Sequence, residues 1–408
     1  MNRYFPGKTL LVLLLLFIVI LPQSLFALPA EGVTPINNRG YVASVHKLFQ
    51  NAQSSIRIMA YQAWFYEDYP DSDSNIFLEE LIDARKRGVD VKVFLETSNW
   101  NQNLDNKNKD YAKRLEDANI PVFFDHKEIT SHEKVIIIDG FATVVSSNNW
   151  SHFSLWINNE VAVIIWSRQV AKAFGEYLNE LMRQAGHDPL SLETGEKTIS
   201  MDEFKTYPAR DILLMNNRDY FPMAHEAFQS AKEKIRVVQR SALYYTMVPS
   251  YAPEKNLEPG EPVSQVNILI KDLIEAKKHG VDVQVVLDAE VRKRRSTGEW
   301  TVNYDNEDTA MRLLAGGVTV YYDSLTTQTH AKMLIVDDQT VVGSTNWTYN
   351  AVEIGNEASV LIKSKPVAEV YYQFFDDLKE AGIQAKPGFD LFSLKRELEA
   401  KDKKNPKK

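Results

Sequence analysis

The chain has 408 residues, 44% hydrophobic and 25% charged, the composition of a globular protein with sequence enough for two domains of ordinary size. A net charge of −8 excludes a global basic field of the kind that gathers nucleic acid, so only a local patch could do so. With no cysteine there is no disulfide framework, no thiolate nucleophile, no Cys-ligated zinc and no thiol for lipid attachment.

At the N-terminus Arg3 and Lys8 precede the apolar run LLVLLLLFIVIL (10–21), then Pro22, Gln23 and Ser24 and the small residues Ala27 and Ala30. The run is shorter than the roughly 20 residues that span a bilayer and has the pattern of a signal-peptide core. It predicts export, to a periplasmic or secreted destination, with residues 1–30 as a signal peptide; the rival reading is an uncleaved N-terminal anchor. Removing that segment takes away Arg3 and Lys8 and leaves a mature charge of −10.

Further along, the chain reads twice. SSIRIMA (54–60) predicts a short strand and returns as EKIRVVQ (233–239). NIFLEELIDARKRG (75–88) predicts a helix with Phe77, Leu81 and Ala84 on one face and Gly88 as its stop. LIDARKRGVDVKVFLE (81–96) returns as LIEAKKHGVDVQVVLD (273–288), and VDVKVFLE alternates as a strand does. RLEDANIPVFFD (114–125) returns as RLLAGGVTVYYD (312–323), and NNEVAVII (158–165) as GNEASVLI (355–362). VIIID and MLIVD, between these segments, are continuous apolar runs of the kind buried on both faces. The order of segments is the same throughout, while the separation grows from 179 residues (54 to 233) to 198 (132 to 330). Two homologous halves with loop insertions account for this.

Strands alternating with helices predict an α/β protein: two homologous α/β sandwich halves with mixed central sheets, packed as a pseudo-dimer. The halves are placed at 36–186 and 209–385, joined by a polar linker (187–208) with Pro189 and Gly195. A charged tail occupies 386–408, frayed or disordered from Lys395 onward. The long loop 242–265, rich in Tyr and Pro, reads as a surface loop with packed aromatics or as a lid or lipid contact over the site. Arg292, Lys293, Arg294 and Arg295 form a basic stretch, read either as a solvated loop or as a track for a phosphate backbone.

The chemistry lies in HEKVIIIDGFATVVSSNNW (132–150) and HAKMLIVDDQTVVGSTNW (330–347). His132 and Lys134 alternate on an extended segment and so share a face, as do His330 and Lys332. An imidazole can attack phosphorus, and an ammonium can neutralise a non-bridging oxygen as charge builds there. Ser147 with Asn149, and Ser344 with Asn346, could hold the remaining phosphate oxygens. Glu160 and Glu357, thirteen residues beyond Ser147 and Ser344, could accept a histidine ring N–H and fix its tautomer. Trp150 and Trp347 read as packing beneath the site. Ser146 stands where the second copy has Gly343, which predicts a less close approach of backbone to phosphate in the first half.

His132-x-Lys134-x4-Asp139 and His330-x-Lys332-x4-Asp337, each followed by the Ser and Asn residues and the acid, resemble the HKD motif of the phospholipase D superfamily. The resemblance covers both halves. It implies a phosphohistidine intermediate resolved by water or another alcohol, with His132 as nucleophile and His330 as acid. Lys134, Lys332, Glu160 and Glu357 would complete the catalytic set, and Asp139 and Asp337 would serve structure at the hairpin. On this reading no cofactor and no metal is required, because the two lysines and an imidazolium carry the neutralising charge. The expected substrate is phospholipid at a membrane surface, hydrolysed to phosphatidic acid and headgroup by a monomer with an internal pseudo-twofold. The alternatives are an exported nuclease, with nucleic acid as substrate, and a phosphatidyltransferase of the cardiolipin synthase type. A non-catalytic scaffold is disfavoured, since neither motif has lost its His or Lys.

Overall fold

The computed structural model describes residues 27–192, 198–253, 261–289, 291–293, 297–324, 327–388 and 390–404. The apolar run 10–21 and Arg294–Arg295 lie outside these residues. Helices and strands alternate as the repeat predicts, but each half opens with a strand and a helix that the repeat reading did not include. In the first half the strands are β1 (Gly32–Pro35), β2 (Ser55–Ala60), β3 (Asp90–Leu95), β4 (Val122–Phe124), β5 (Lys134–Ile138), β6 (Ala142–Ser146) and β7 (Ala162–Trp166). The helices are α1 (Arg39–Asn51), α2 (Asp73–Lys86), α3 (Gln102–Asp117) and α4 (Arg168–Gln184). The second half repeats this with β8 (Asp211–Leu214), β9 (Lys234–Gln239), β10 (Asp282–Leu287), the hairpin β11 (Arg292–Lys293) and β12 (Trp300–Thr301), then β13 (Thr319–Tyr322), β14 (Lys332–Val336), β15 (Gln339–Gly343), β16 (Ser359–Lys363) and β17 (Ile383–Gln384). Its helices are α5 (Tyr220–Ser230), α6 (Gln265–Lys278), α7 (Glu307–Ala315), α8 (Tyr349–Glu353), α9 (Lys365–Ala381) and α10 (Leu391–Lys404).

The sheets are ordered β1-β7-β6-β5-β2-β3-β4 and β17-β13-β10-β9-β14-β15-β16-β8. In each, the pairs joined by a crossover helix are parallel (β2 with β3, β9 with β10) and those joined by hairpins are antiparallel, so both sheets are mixed. The continuous apolar runs follow from burial on both faces. Ile136 and Ile138 pack toward α1, α2 and α3, whereas Val135 and Ile137 turn inward. The inner faces of both sheets, with α4 and α9, form one shared core, in which Val135 and Ile137 join Met333 and Ile335. The halves therefore cohere through a hydrophobic layer that neither could bury alone.

Local signals explain the turns. Gly88 and its repeat Gly280 both have φ +91°, the left-handed stop after α2 and α6. Asp139 and Asp337 turn the hairpins at φ +53° and +50°. Asp139 is fully buried and accepts the backbone N–H groups of Gln53, Ser54 and Ser55 at 2.9, 2.7 and 2.9 Å, tying the start of β2 to the hairpin. Asp337 accepts those of Lys232, Glu233 and Lys234 at 2.8–3.0 Å in the same way.

Two boundaries differ from the sequence reading. The first half starts before residue 36: β1 pairs with β7, and Leu28 exchanges backbone hydrogen bonds of 2.7 and 3.0 Å with Ile212 of the other half. The tail expected to fray is helical over α10, because Leu391 and Leu394 are buried in the second core. Charge density alone hid that apolar stripe. Lys293, in the basic stretch, is held by Asp402 of α10 at 2.5 Å. Among the described residues no helix is long and apolar enough to cross a membrane.

Candidate active site

Both His-x-Lys segments begin at the same end of their sheets, where Lys134 pairs with Ala60 at the close of β2 and Lys332 with Gln239 at the close of β9. The two halves are stitched at this point. The His132 N–H donates to the Asn356 carbonyl and the His330 N–H to the Asn159 carbonyl, both at 2.9 Å. These acceptors immediately precede the two glutamates, so each histidine-bearing strand is laid beside the acid of the opposite half.

The pairing is crosswise. His132 Nδ1 lies 3.0 Å from both carboxylate oxygens of Glu357, and His330 Nδ1 lies 3.0 Å from Glu160 Oε2. With Nδ1–H donated to the acid, each ring turns its Nε2 lone pair outward. The histidine side chains keep 13% and 12% of their surface exposed. Lys134 and Lys332 are buried, and each ammonium donates to the carbonyl of its own motif's histidine, at 2.6 and 2.5 Å.

Ser147 and Ser344, read from sequence as phosphate donors, are turned away from that task. Both are fully buried; Ser147 Oγ donates to Glu160 at 2.5 Å and Ser344 Oγ to Glu357, and each accepts a backbone N–H at 3.0 Å. They orient the acids. Asn149 and Asn346 are half-buried, and the amide oxygen of each is buried with no donor among the described residues. Trp150 and Trp347 are buried as expected, their ring N–H groups donating to Tyr41 and Tyr220 at 3.0 Å. Gly343 does not serve close phosphate approach. A Cβ there would meet Ser359 Oγ at 2.1 Å and the Ala358 carbonyl at 2.4 Å, so the strand partner imposes it.

The electrostatics follow from burial among cations. Burial, then Lys134, Lys332 and Arg240, push His132 well below its ordinary value. Burial pushes His330 down to about 3, with Glu160 opposing. Lys134 is lowered to about 8 by burial, against the pull of Glu357 and Glu133, and burial takes Lys332 well down. Burial among cations thus disfavours the charged form of both rings. The two acids differ. Glu357 is raised by burial to about 8, whereas Glu160 is lowered because His330, Lys332 and Ser147 outweigh its burial. Ser154 donates a second hydroxyl to Glu160 at 2.5 Å. At the corresponding place, 197 residues on as Glu357 is from Glu160, stands Ala351.

Several residues at this site escaped the sequence reading. Tyr61 and Arg240 occupy equivalent places after β2 and β9; the Tyr61 ring meets the His132 ring edge-on at 4.7 Å, and Lys134 lies 4.8 Å over it. A repeated signal was present in NNRGY (37–41) and NNRDY (216–220), separated by the same 179 residues as the first strands. Asn38 and Asn217, at φ +52° and +50°, clamp the backbones of Glu160 and Glu357 through N–H and carbonyl alike. Arg39 donates to the Leu155 and Asn158 carbonyls and Arg218 to that of Gly355, on the loops carrying those acids. Two grooves of about 1120 and 950 Å³ elsewhere on the surface contain none of His132, Lys134, Glu160, His330, Lys332 and Glu357.

A family model described as cardiolipin synthase, PLD-like domain, matches residues 45–182 and 226–379. Proteins named phospholipase D from Rickettsia bellii and Rickettsia typhi are 32% identical over 126 residues and 33% over 115, covering 31% and 28% of this chain. The matches span 59% and 53% of those relatives' own length. Among solved structures, phosphatidylserine synthase from Haemophilus influenzae superposes with a TM-score of 0.63 over 88% of this chain and 89% of its own, at 13% identity. Polyphosphate kinase from Porphyromonas gingivalis gives 0.51 over 84% of this chain and 50% of its own, at 11% identity. At these identities the likeness is one of fold.

Proposed function

Because the chain belongs to the phospholipase D superfamily, we propose that it hydrolyses phospholipids to phosphatidic acid and free headgroup through a phosphohistidine. The observation that carries this reading is the crosswise pairing of His132 with Glu357 and His330 with Glu160, flanked by two buried lysines. Nε2 of His132 attacks phosphorus, forming a P–N bond as the P–O bond to the headgroup breaks. His330, as imidazolium, gives its proton to the departing alkoxide. It then takes a proton from water, whose oxygen attacks phosphorus and breaks the P–N bond, returning both rings to their starting states. Lys134 and Lys332 neutralise the phosphoryl oxygens throughout, and Asn149 and Asn346 offer amide donors. The better-stabilised charge on Glu160 favours an imidazolium at His330, which supports His132 as the nucleophile. Entry of the phosphodiester anion restores the proton affinity that burial among cations takes from His330.

Lipid rather than nucleic acid is supported by where large apolar side chains stay exposed. Tyr69, Trp100, Phe153, Trp156, Met247 and Tyr251 are 53–74% exposed, each in a connection that leaves the histidine-bearing end of a strand, Phe153 and Trp156 on the helical turn Phe153–Ile157. Aromatic and apolar tips in such a position suit a membrane interface. The basic stretch offers less to a phosphate backbone, since Lys293 is paired with Asp402. Export to meet lipid, directed by the N-terminal apolar run 10–21, belongs to the same proposal.

The test presents residues 27–408, in EDTA, with phosphatidylcholine or phosphatidylglycerol vesicles and separately with plasmid and single-stranded DNA. Headgroup release, abolished by His132→Ala and by His330→Ala, is the expected result. DNA cleavage with intact lipid would replace this reading by a nuclease, and phosphatidylglycerol converted to free glycerol plus a diphosphatidyl product would make the enzyme a transferase.

A further inference from the structure

Beside each histidine segment lie two buried acids that the chemistry above leaves unused. Glu96 follows β3 and Asp125 follows β4, 1% and 7% exposed. The N–H of Ser131, the residue before His132, donates to Glu96 Oε2 at 2.7 Å, and that of Thr97 to Asp125 Oδ1 at 2.6 Å. The remaining oxygens, Glu96 Oε1 and Asp125 Oδ2, are buried with no donor among the described residues. Lys134 and Glu133 also face Glu96, but Lys134 is committed to the His132 carbonyl and Glu133 accepts from Tyr177.

The second half repeats the arrangement with Asp288 after β10 and Asp323 after β13, 3% and 1% exposed. There the N–H of Thr329, the residue before His330, donates to Asp323 Oδ2 at 2.7 Å, and that of Ala289 to Oδ1 at 2.9 Å. Gln328 donates to Asp288 Oδ2 at 2.9 Å. The acceptor has passed from the first acid of the pair to the second, as Asp288 is one methylene shorter than Glu96.

Two carboxylates in contact in a dry interior cannot both stay ionised. Burial, then the neighbouring acid, push Glu96 and Asp323 well above the ordinary carboxyl range. A single proton between the two acids donates from one to the other and answers the orphaned oxygens of the first pair.

We propose that each acid pair holds one proton between its carboxyls and so positions the adjacent catalytic histidine, Glu96–Asp125 for His132 and Asp288–Asp323 for His330. Each histidine segment is then fixed from two sides. Its own half accepts the N–H before the histidine, and the other half accepts the N–H of the histidine itself. These acids are positioning residues; they touch no reacting atom. The inference rests on the reading of the histidines as the reactive groups.

The experiment compares the native protein with Glu96→Gln, Glu96→Ala and Asp288→Asn at pH 7, by infrared spectroscopy and by ring ¹⁵N signals of labelled histidine, with turnover of bis(p-nitrophenyl) phosphate alongside. Glu96→Gln, which replaces the shared proton by an amide, should lose a protonated-carboxyl stretch and leave the His132 ring signals in place. Glu96→Ala strands the Ser131 N–H, so it should shift those signals and lower kcat about tenfold with KM within about twofold. Should Glu96→Ala not fold, Asp323→Ala, which strands the Thr329 N–H, makes the same comparison at His330. No protonated-carboxyl band lost in either isosteric variant, or His132 signals unmoved in Glu96→Ala, overturns the proposal. Infrared and ring signals behaving as stated in a protein that turns over no diester would sink the phosphodiesterase reading and leave the pairs standing.

Discussion

At the scale of single residues, the two half-sites exchange small and larger partners while conserving their reactive groups. Ser146 pairs with Ala162 in the first sheet, and Gly343 with Ser359 in the second. The hydroxyl has changed strands, and the space has moved with it. Gly343→Ala should therefore lower stability by roughly 1–3 kcal/mol through overpacking against Ser359 and the Ala358 carbonyl, seen as a lower Tm, while Ser146→Ala stays within about 1 kcal/mol. The lysines give a pH prediction. Burial lowers Lys134 to about 8, so its ammonium is present below that pH and lost above it. The kcat/KM profile, which reports the free enzyme, should fall as pH rises through about 8; a plateau extending to pH 10 would remove Lys134 as a required cation.

At the scale of elements, the motif's aspartates show how a repeated pattern can serve structure rather than chemistry. Asp139 has no path to substrate; it gathers three backbone N–H groups where the chain enters β2 and so sets the register of β2 against β5. Asp139→Asn keeps a side chain that tolerates φ +53° but removes the charge, and should lower unfolding free energy by roughly 1.5–3 kcal/mol, read from the urea midpoint. The asparagines of the repeated Asn-Asn-Arg triplets act similarly at the other edge of the site, where they clamp the glutamate-bearing segments. These triplets were legible as a repeat. Their purpose was not, because an Asn clamp is defined by a partner more than a hundred residues away.

At the scale of the molecule, the site exists only where the halves meet. Each histidine takes its acid from the opposite half, and each hydroxyl predicted to hold phosphate instead holds that acid. The crosswise arrangement makes a specific prediction: Glu357→Gln should move the ring titration of His132 and leave that of His330, and Glu160→Gln should do the reverse. Ring ¹⁵N shifts followed over pH decide it, and the opposite assignment would mean that each half serves itself in solution. The shared core beneath, built from the inner faces of both sheets with α4 and α9, holds this geometry without a disulfide between the halves.

Sequence by itself determined whatever depends on short-range order. The alternation of strands and helices, burial of VIIID and MLIVD on both faces, the glycine stops and the His-x-Lys pairs all follow from periodicity and local conformational preference. Tertiary structure alone decided the pairing of His132 with Glu357 and of His330 with Glu160, across 225 and 170 residues. The two halves carry nearly the same local sequence, so an acid from its own half and one from the other are equivalent in pattern. Only the packing of two sheets on one core, which lays Asn356 beside His132 and Asn159 beside His330, distinguishes them.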